Sequence, residues 1–126
     1  MMELTIKGQV YEFHFGMGFM REVNKKYQKP IDGVKNATEN IGLQMMVAGV
    51  ISKDTEFLVE VLDAANKGKT PRVTKTMLDS YIDDECEDID ALFNEVLESL
   101  KTTNATKNVT LQFMVALEEE KAKAKQ

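Results

Sequence analysis

Two side chains in the sequence could act as a nucleophile or a general base, Cys86 and His14. The chain has one cysteine and one histidine, which excludes an internal disulfide and a cysteine-based zinc site. Cys86 lies between Glu85 and Glu87, and neighbouring carboxylates disfavour the thiolate that a reactive cysteine needs. His14 alternates with the aromatic residues of a predicted strand, so we expect an ordinary strand histidine. We therefore expect neither an enzyme nor a bound metal or cofactor.

A block of acidic residues, 79–98, holds nine carboxylates and no basic side chain. A calcium-binding EF-hand loop beginning at Asp79 needs an oxygen ligand third and glycine sixth, where this chain has Tyr81 and Asp84. The block therefore does not predict a calcium site. Helix capping explains part of it, with Asp84 and Glu87 as a capping-box pair. The alternative is a surface that docks a basic partner, formed by Asp83, Asp84, Glu87 and Asp88.

The overall composition excludes further classes of protein. The 126 residues include 16 basic and 21 acidic side chains, for a net charge of −5. Nucleic-acid binding relies on clustered lysine and arginine, so we expect no nucleic-acid partner. No apolar stretch approaches the about 18 residues of a membrane-spanning helix, and no signal-peptide pattern is visible. We therefore expect an intracellular protein without a membrane partner.

The N-terminal residues 3–15 predict a β-hairpin. Leu4 and Ile6 alternate with polar residues, and aromatic residues alternate along the second strand. Gly8–Gln9 lies between the strands, and a two-residue turn with glycine first favours type II′ geometry. An isolated hairpin is marginal in water, so its apolar face must pack on the rest of the chain.

The remainder of the chain shows helical spacing of apolar residues. Thr38, Asp54 and Thr74 precede helical segments and are predicted N-caps. The segment 41–51 is uncharged and apolar on all sides, which predicts a helix either central in the fold or buried against another chain.

These patterns predict an α+β fold, with an N-terminal β-hairpin packed on a mainly α-helical bundle of about five or six helices. We expect a single domain over residues 1–126, with a frayed tail at 122–126. The last helix, at about 105–122, has more apolar residues than one buried stripe needs. Methionine-rich apolar surfaces adapt to varied partners, and the chain has eight methionines. The candidate residues for partner binding or self-association are Val109, Leu111, Phe113, Met114, Leu117, Met45 and Met46. For Met45 the pattern favours core filling, and for Met114 it favours neither.

The hairpin and the first helix together carry a more specific pattern. The second strand ends in Tyr-x-Phe-x-Phe-Gly at 11–16, and the helix begins Phe-Met-Arg-Glu-Val-Asn at 19–24. With these features, residues 2–26 resemble the start of phage tail assembly chaperones from long-tailed phages and prophages of Gram-positive bacteria. The rest of the chain is similar in length, acidity and helical pattern.

The resemblance implies a non-enzymatic role in virion assembly. Such chaperones bind the tape measure protein and keep it assembly-competent in the host cytoplasm while the tail tube polymerises. They are absent from the mature virion, and related proteins form homo-oligomers. In many such phages a frameshift gives a longer product, through which the tail tube protein becomes a further partner. The alternative is a small helical adaptor that docks a basic partner through the acidic block 79–98.

Overall fold

The computed structural model describes residues 2–124 of the chain. Within them, two short hairpins and six α-helices confirm the predicted α+β class. The elements in chain order are β1 Met2–Ile6, β2 Gln9–Phe13, α1 Met17–Lys26, β3 Gln28–Pro30, β4 Thr38–Asn40, α2 Gly42–Ile51, α3 Thr55–Asn66, α4 Lys75–Ser80, a π-helical turn Tyr81–Glu85, α5 Ile89–Thr102 and α6 Lys107–Ala124. The buried apolar side chains of β1, β2 and α1 to α5 form one cluster, and partly buried side chains of α6 pack against it.

The first hairpin pairs β1 with β2 in antiparallel register, but its turn differs from the prediction. Ile6 pairs with Gln9, so the turn residues are Lys7 and Gly8. Both have positive φ, 50° and 80°, which is the type I′ geometry whose twist matches that of the strands. The pairing is displaced by two residues from the predicted one, which leaves the buried face of each strand unchanged.

The inner face of this hairpin packs on the helices, as its marginal stability requires. Leu4, Ile6 and Phe13 are buried, and the Phe13 side chain is fully covered. Directly after β2, the backbone N–H of His14 donates to the carbonyl oxygen of Ala65 in α3 at 2.9 Å. The hairpin is thus fixed to α3 through both side chains and backbone.

The apolar helix α2 lies at the centre of the fold. It packs against α1, α3, α5 and α6, and Leu43, Val47 and Val50 are buried in these contacts. Gly42 lies against the backbone of Val23, where a side chain would collide with the carbonyl group. The prediction left open whether this helix was central or intermolecular, and its packing places it in the core of the chain.

Thr38 was predicted to be the N-cap of the helix that follows it, and this is wrong. Thr38 lies in β4 and pairs with Pro30 of β3. The first turn of α2 is capped instead by Asn24 of α1, whose Oδ1 accepts a hydrogen bond from the Leu43 N–H at 3.1 Å. A side chain from another helix therefore replaces the local cap.

Of the other three predicted N-caps, two are confirmed and one is corrected. The Asp54 side chain caps α3 and the Thr74 side chain caps α4. Asp84, predicted to cap α5 with Glu87, lies within the π-helical turn. Because this turn extends the preceding helix through Glu85, α5 begins later and Asp88 accepts the capping hydrogen bond from the Ala91 N–H at 3.0 Å.

The last helix, α6, continues to Ala124. Residues 122–124 of the tail predicted to fray are therefore helical, and Lys125 and Gln126 lie outside the described residues. Over the described part of the chain, no helix is both long enough and apolar enough to cross a membrane.

Candidate partner-binding surface

The helix α6 carries five of the predicted partner-binding residues, and its first turns attach it to the fold. The side chains of Thr106 and Thr110 are fully buried. Thr106 Oγ1 donates to the carbonyl oxygen of Leu100 at 2.7 Å, and Thr110 Oγ1 donates to that of Thr106 at 2.8 Å. These bonds fix the corner between α5 and α6. We did not predict them, although two threonines four residues apart at a helix start share one face.

The apolar residues of α6 divide between an inner and an outer face. Val109 and Phe113 are half-buried and pack against the core. Leu111 and Val115, by contrast, are 44% and 58% exposed. The apolar residues of 109–117 therefore lie on one helix but on two separate faces of it.

Beneath α6 lies a groove of about 180 Å³, bordered by the end of α2 and by α5. Met114 and Leu117 of α6 form one wall, with charged residues at the rim. The apolar lining is Val50, Ile51, Phe93, Leu97, Met114 and Leu117, and the polar lining is Lys53, Asn94, Glu118 and Lys121. We call these residues the inner groove. It combines an apolar floor with a charged entrance.

The two methionines of α2 differ from each other. Met46 is fully buried among the core side chains. It is therefore not available to a partner in this fold, which corrects its assignment to the candidate surface. Met45 is half-buried and is not part of the core cluster, so the core-filling interpretation that its pattern favoured stays a prediction.

The acidic block serves several structural roles. The Glu85 carboxylate accepts a hydrogen bond from the Lys7 N–H at 3.0 Å, which fixes the β1–β2 turn to the π-helical turn. Asp88 caps α5, and Asp90 forms a 3.0 Å ion pair with Lys53. These three of the nine carboxylates of the block therefore make contacts within the fold.

Part of the acidic block lines a second cavity, between α3 and α4. Asp79 and Asp83 lie there together with Glu56 of α3, around an open cavity of about 440 Å³. Val59 and Ile82 supply its apolar lining. Of the four predicted docking residues, Asp83 is thus in this acidic groove, while Asp84 and Glu87 are exposed elsewhere on the block. The contribution of α3 was missed, because Glu56 is distant in sequence.

A carboxylate bridge connects three helices within this acidic groove, whose lining also includes Glu60 and Lys75. Glu60 of α3 accepts hydrogen bonds from Lys26 of α1 and Lys75 of α4, each at 2.7 Å. Burial alone acts to raise the pKa of Glu60, but the two lysines outweigh it and hold the pKa below its usual value. The hydrogen bond that Lys75 donates to the Glu60 carboxylate raises the pKa of Lys75.

A buried asparagine organises the connection between α3 and α4. Asn66 Nδ2 donates to the carbonyl oxygens of Glu12 and Pro71, at 3.0 and 3.2 Å. Its Oδ1 accepts from the Val73 N–H at 2.7 Å and from the Arg72 guanidinium at 3.0 Å. The amide thus uses both donors and its acceptor oxygen to hold the hairpin and the loop before α4 together.

The side chains with reactive chemistry are not gathered at these grooves. His14 is exposed, and Cys86 is half-buried beside the π-helical turn. Throughout residues 2–124, no three or more histidine, cysteine, aspartate or glutamate side chains are arranged to hold a metal ion. The described chain instead offers contact surfaces, with an apolar groove, an uncovered helix face and an acidic groove. Such surfaces are typical of a binding protein.

The family comparison agrees with this class. The model of the family described as phage tail assembly chaperone protein, TAC, matches residues 3–114. The chain therefore belongs to the phage tail assembly chaperone family, which confirms the resemblance of residues 2–26 and extends it from β1 into α6. This family is not a known class of enzymes. Searches of curated proteins and of solved structures each gave no match.

Proposed function

We propose that this chaperone binds the phage tape measure protein and keeps it soluble and assembly-competent while the tail tube polymerises. Family membership supports the role in tail assembly. The tape measure protein as client, the host cytoplasm as the place of action and the absence from the mature virion are parts of the proposal. A frameshift-extended product that contacts the tail tube protein belongs to it as well.

The inner groove is the observation that carries the proposal. Met114 and Leu117 of α6 line this groove together with Phe93 and Leu97 of α5. An amphipathic client helix can place apolar side chains in such a groove, and flexible methionine tolerates varied side-chain shapes. The groove thus suits a client with many similar apolar segments.

The charged rim of the groove explains how such a surface stays compatible with water. Lys53, Glu118 and Lys121 surround the apolar floor. Charged residues at the edge of an apolar patch limit non-specific association, while the floor stays open to a client. A surface that holds an aggregation-prone client without itself aggregating needs both features.

The test is co-expression with the tape measure protein, with its soluble fraction as the readout. We expect Met114→Asp with Leu117→Asp to abolish the soluble fraction of the tape measure protein. Client binding would have to bury two carboxylates without partners, which costs too much free energy. The matched control is Asn108→Asp with Ala122→Asp, two exposed positions of the same helix outside the groove and outside the depression on its uncovered face. We expect this control to behave as wild type.

Because charges in the groove could loosen α6, a second variant adds no charge. Met114→Trp fills the groove with a larger apolar side chain, and we expect it to reduce the soluble fraction while circular dichroism stays unchanged. A soluble tape measure protein in the presence of both groove variants, each with wild-type helicity, would overturn the proposal.

A second candidate is the adaptor function, for which the acidic groove is the specific observation. Glu56, Asp79 and Asp83 converge there from α3, α4 and the π-helical turn. The one basic side chain of the lining, Lys75, is paired with Glu60. Salt distinguishes the two candidates, because screening weakens the docking of a basic partner and leaves apolar contacts intact. Tape measure binding that weakens strongly between low and high salt, and that Asp83→Lys abolishes, favours the acidic groove.

A further inference from the structure

The helix α1 has a second face that neither the core nor the inner groove explains. Phe19 and Val23 fill the core from one side of this helix. Residues on another side are related by spacings of three and four, so they share one face. They line a groove of about 300 Å³ between α1 and the β3–β4 hairpin. The lining includes Met17, Met20, Arg21, Lys25, Gln28 and Asn40, and we call these six residues the basic groove.

The apolar part of the basic groove consists of methionine. Met17, at the start of α1, is 47% exposed. Met20 is half-buried and packs against the core with part of its side chain. Flexible thioether side chains adapt to apolar partners of different shapes. The groove therefore offers two neighbouring methionines as an adaptable apolar contact.

The charged residues of the basic groove are all cations. Arg21 and Lys25 line it, and no carboxylate does. Arg21 is exposed, and none of the ion pairs found within residues 2–124 involves its guanidinium. Lys25 is 3.4 Å from Glu22, but Lys67 lies closer to that carboxylate, at 2.8 Å, and the Lys25 side chain stays 72% exposed. Two cations are thus available to a ligand in a chain whose net charge is −5.

Two amide side chains of the β3–β4 hairpin form the remaining border of the basic groove. Gln28 Nε2 donates to Asn40 Oδ1 at 3.0 Å, which joins the two strands beside the groove. Both side chains are exposed. The groove therefore combines an apolar contact, two cations and a fixed polar border.

We propose that the basic groove binds an acidic amphipathic helix of a partner protein, which lies along α1. The apolar face of such a helix contacts Met17 and Met20, and carboxylates beside that face pair with Arg21 and Lys25. Arginine binds a carboxylate through two parallel N–H donors, so Arg21 fixes the position of the partner more than Lys25 does. The inference does not rest on the proposed function, because none of these residues lines the inner groove.

Charge selects this occupant over other helices. Both cations attract the carboxylates of an acidic helix and repel a basic one. Because the chain as a whole is acidic, its net charge repels an acidic partner elsewhere, which favours binding at this groove. The ten residues of α1 rise about 15 Å, so the contact is small and we expect a transient complex.

Fluorescence anisotropy with a labelled acidic helix tests the proposal without the tape measure protein. The probe is a cross-linked helical peptide of about 15 residues, with leucines along one face and glutamates on both sides of them. A companion peptide keeps the leucines and replaces every glutamate by glutamine. We expect saturable binding of the acidic peptide and at least about fivefold weaker binding of the companion.

Arg21→Glu should weaken binding of the acidic peptide at least about tenfold, because it replaces an attraction by a repulsion. The helix itself should stay intact, since Arg21 is exposed and a glutamate four residues before Lys25 favours helix formation. The matched control is Lys123→Glu, the same change of charge at an exposed position of α6 outside the groove. We expect this control to bind as wild type does. Met17→Gln should weaken both peptides by the same factor, because it removes an apolar contact and no charge.

Absence of saturable binding to wild type, or equal affinity of Arg21→Glu and Lys123→Glu, would refute the proposal. Sedimentation of the protein alone tests another occupant. An oligomer that Arg21→Glu dissociates would mean that a second copy covers the groove, and the partner helix is then rejected. The proposal also fails if Arg21→Glu lowers the soluble fraction of the tape measure protein but leaves peptide binding unchanged, since the client then covers the groove. The peptide assay contains no client, so its result is independent of the inner groove.

Discussion

Helix α3 with the N-terminal hairpin, on one side, and helix α6, on the other, bury their apolar residues to very different degrees. In the N-terminal half, helix α3 has Leu58, Val61 and Leu62 fully buried, and the hairpin covers Phe13 completely. In α6, which is longer, the residue that is buried is Thr110. Both helices contain several apolar side chains, so composition does not explain the difference.

Apolar residues in this protein therefore have two uses. Those of α3 are enclosed by elements on several sides, and their burial stabilises the monomer. Those of α6 are held on one side by α2 and α5, and the rest of the helix surface is open. We therefore expect substitutions in α3 to change folding and substitutions in α6 to change binding.

A matched pair of leucine truncations gives the largest expected difference between the two regions. Leu62→Ala removes a fully buried side chain from α3 and should lower the free energy of unfolding by about 3 kcal/mol. Leu117→Ala removes a half-buried side chain beside an existing groove, so we expect about 1 kcal/mol or less. Urea unfolding of both variants at low protein concentration measures the difference. Equal losses would show that α6 is as much a part of the core as α3.

A second pair compares the buried polar residues of the two regions. Asn66→Ala leaves the Val73 N–H and two carbonyl groups without their partner, at a cost of about 2 to 3 kcal/mol. Thr110→Val removes one hydroxyl that donates within its own helix, and we expect less than about 1 kcal/mol. Thermal unfolding with hydrogen exchange at the Val73 amide tests this, since the exchange should accelerate in Asn66→Ala alone. Unchanged exchange in that variant would contradict the role of Asn66.

The elements that could be predicted from the sequence are those specified by local patterns. Alternation predicted the hairpin, and helical spacing with Asp54 and Thr74 placed two helix starts. The errors came where a distant residue replaces a local one. Asn24 caps α2 in place of Thr38, and Glu85 binds the N–H of the hairpin turn. Spacing along the chain contains no information about such partners.

The candidate surface shows the same limit. The sequence predicted that α6 has surplus apolar residues, but a broad apolar pattern does not indicate which side the neighbouring helices cover. The positions of α2 and α5 place Met114 at the groove and leave Val115 exposed. The burial of Met46 likewise depends on the enclosure of α2 by four helices.

We expect the smallest difference in free energy of unfolding between two ion-pair variants. Glu60 joins α1, α3 and α4 through Lys26 and Lys75, whereas Glu98 pairs with Lys101 one turn along α5. The Glu60 side chain is partly exposed and screened, so we expect Glu60→Gln to cost about 1 kcal/mol at pH 7. For Glu98→Gln we expect a few tenths of a kcal/mol, because its bridge is a single exposed i,i+3 pair.

The pH dependence of the Glu60 bridge has a defined sign. Its pKa in the folded protein is below the reference value of 4.5, so the folded state favours the ionised carboxylate. The stabilisation is therefore complete above pH 4.5 and is lost as the pH falls through the folded-state pKa. Urea unfolding should show a difference between wild type and Glu60→Gln at pH 7 that decreases as the pH falls below 4.5. A difference that persists at the lower pH would mean that the amide disturbs packing, and the bridge between the three helices would then not be electrostatic.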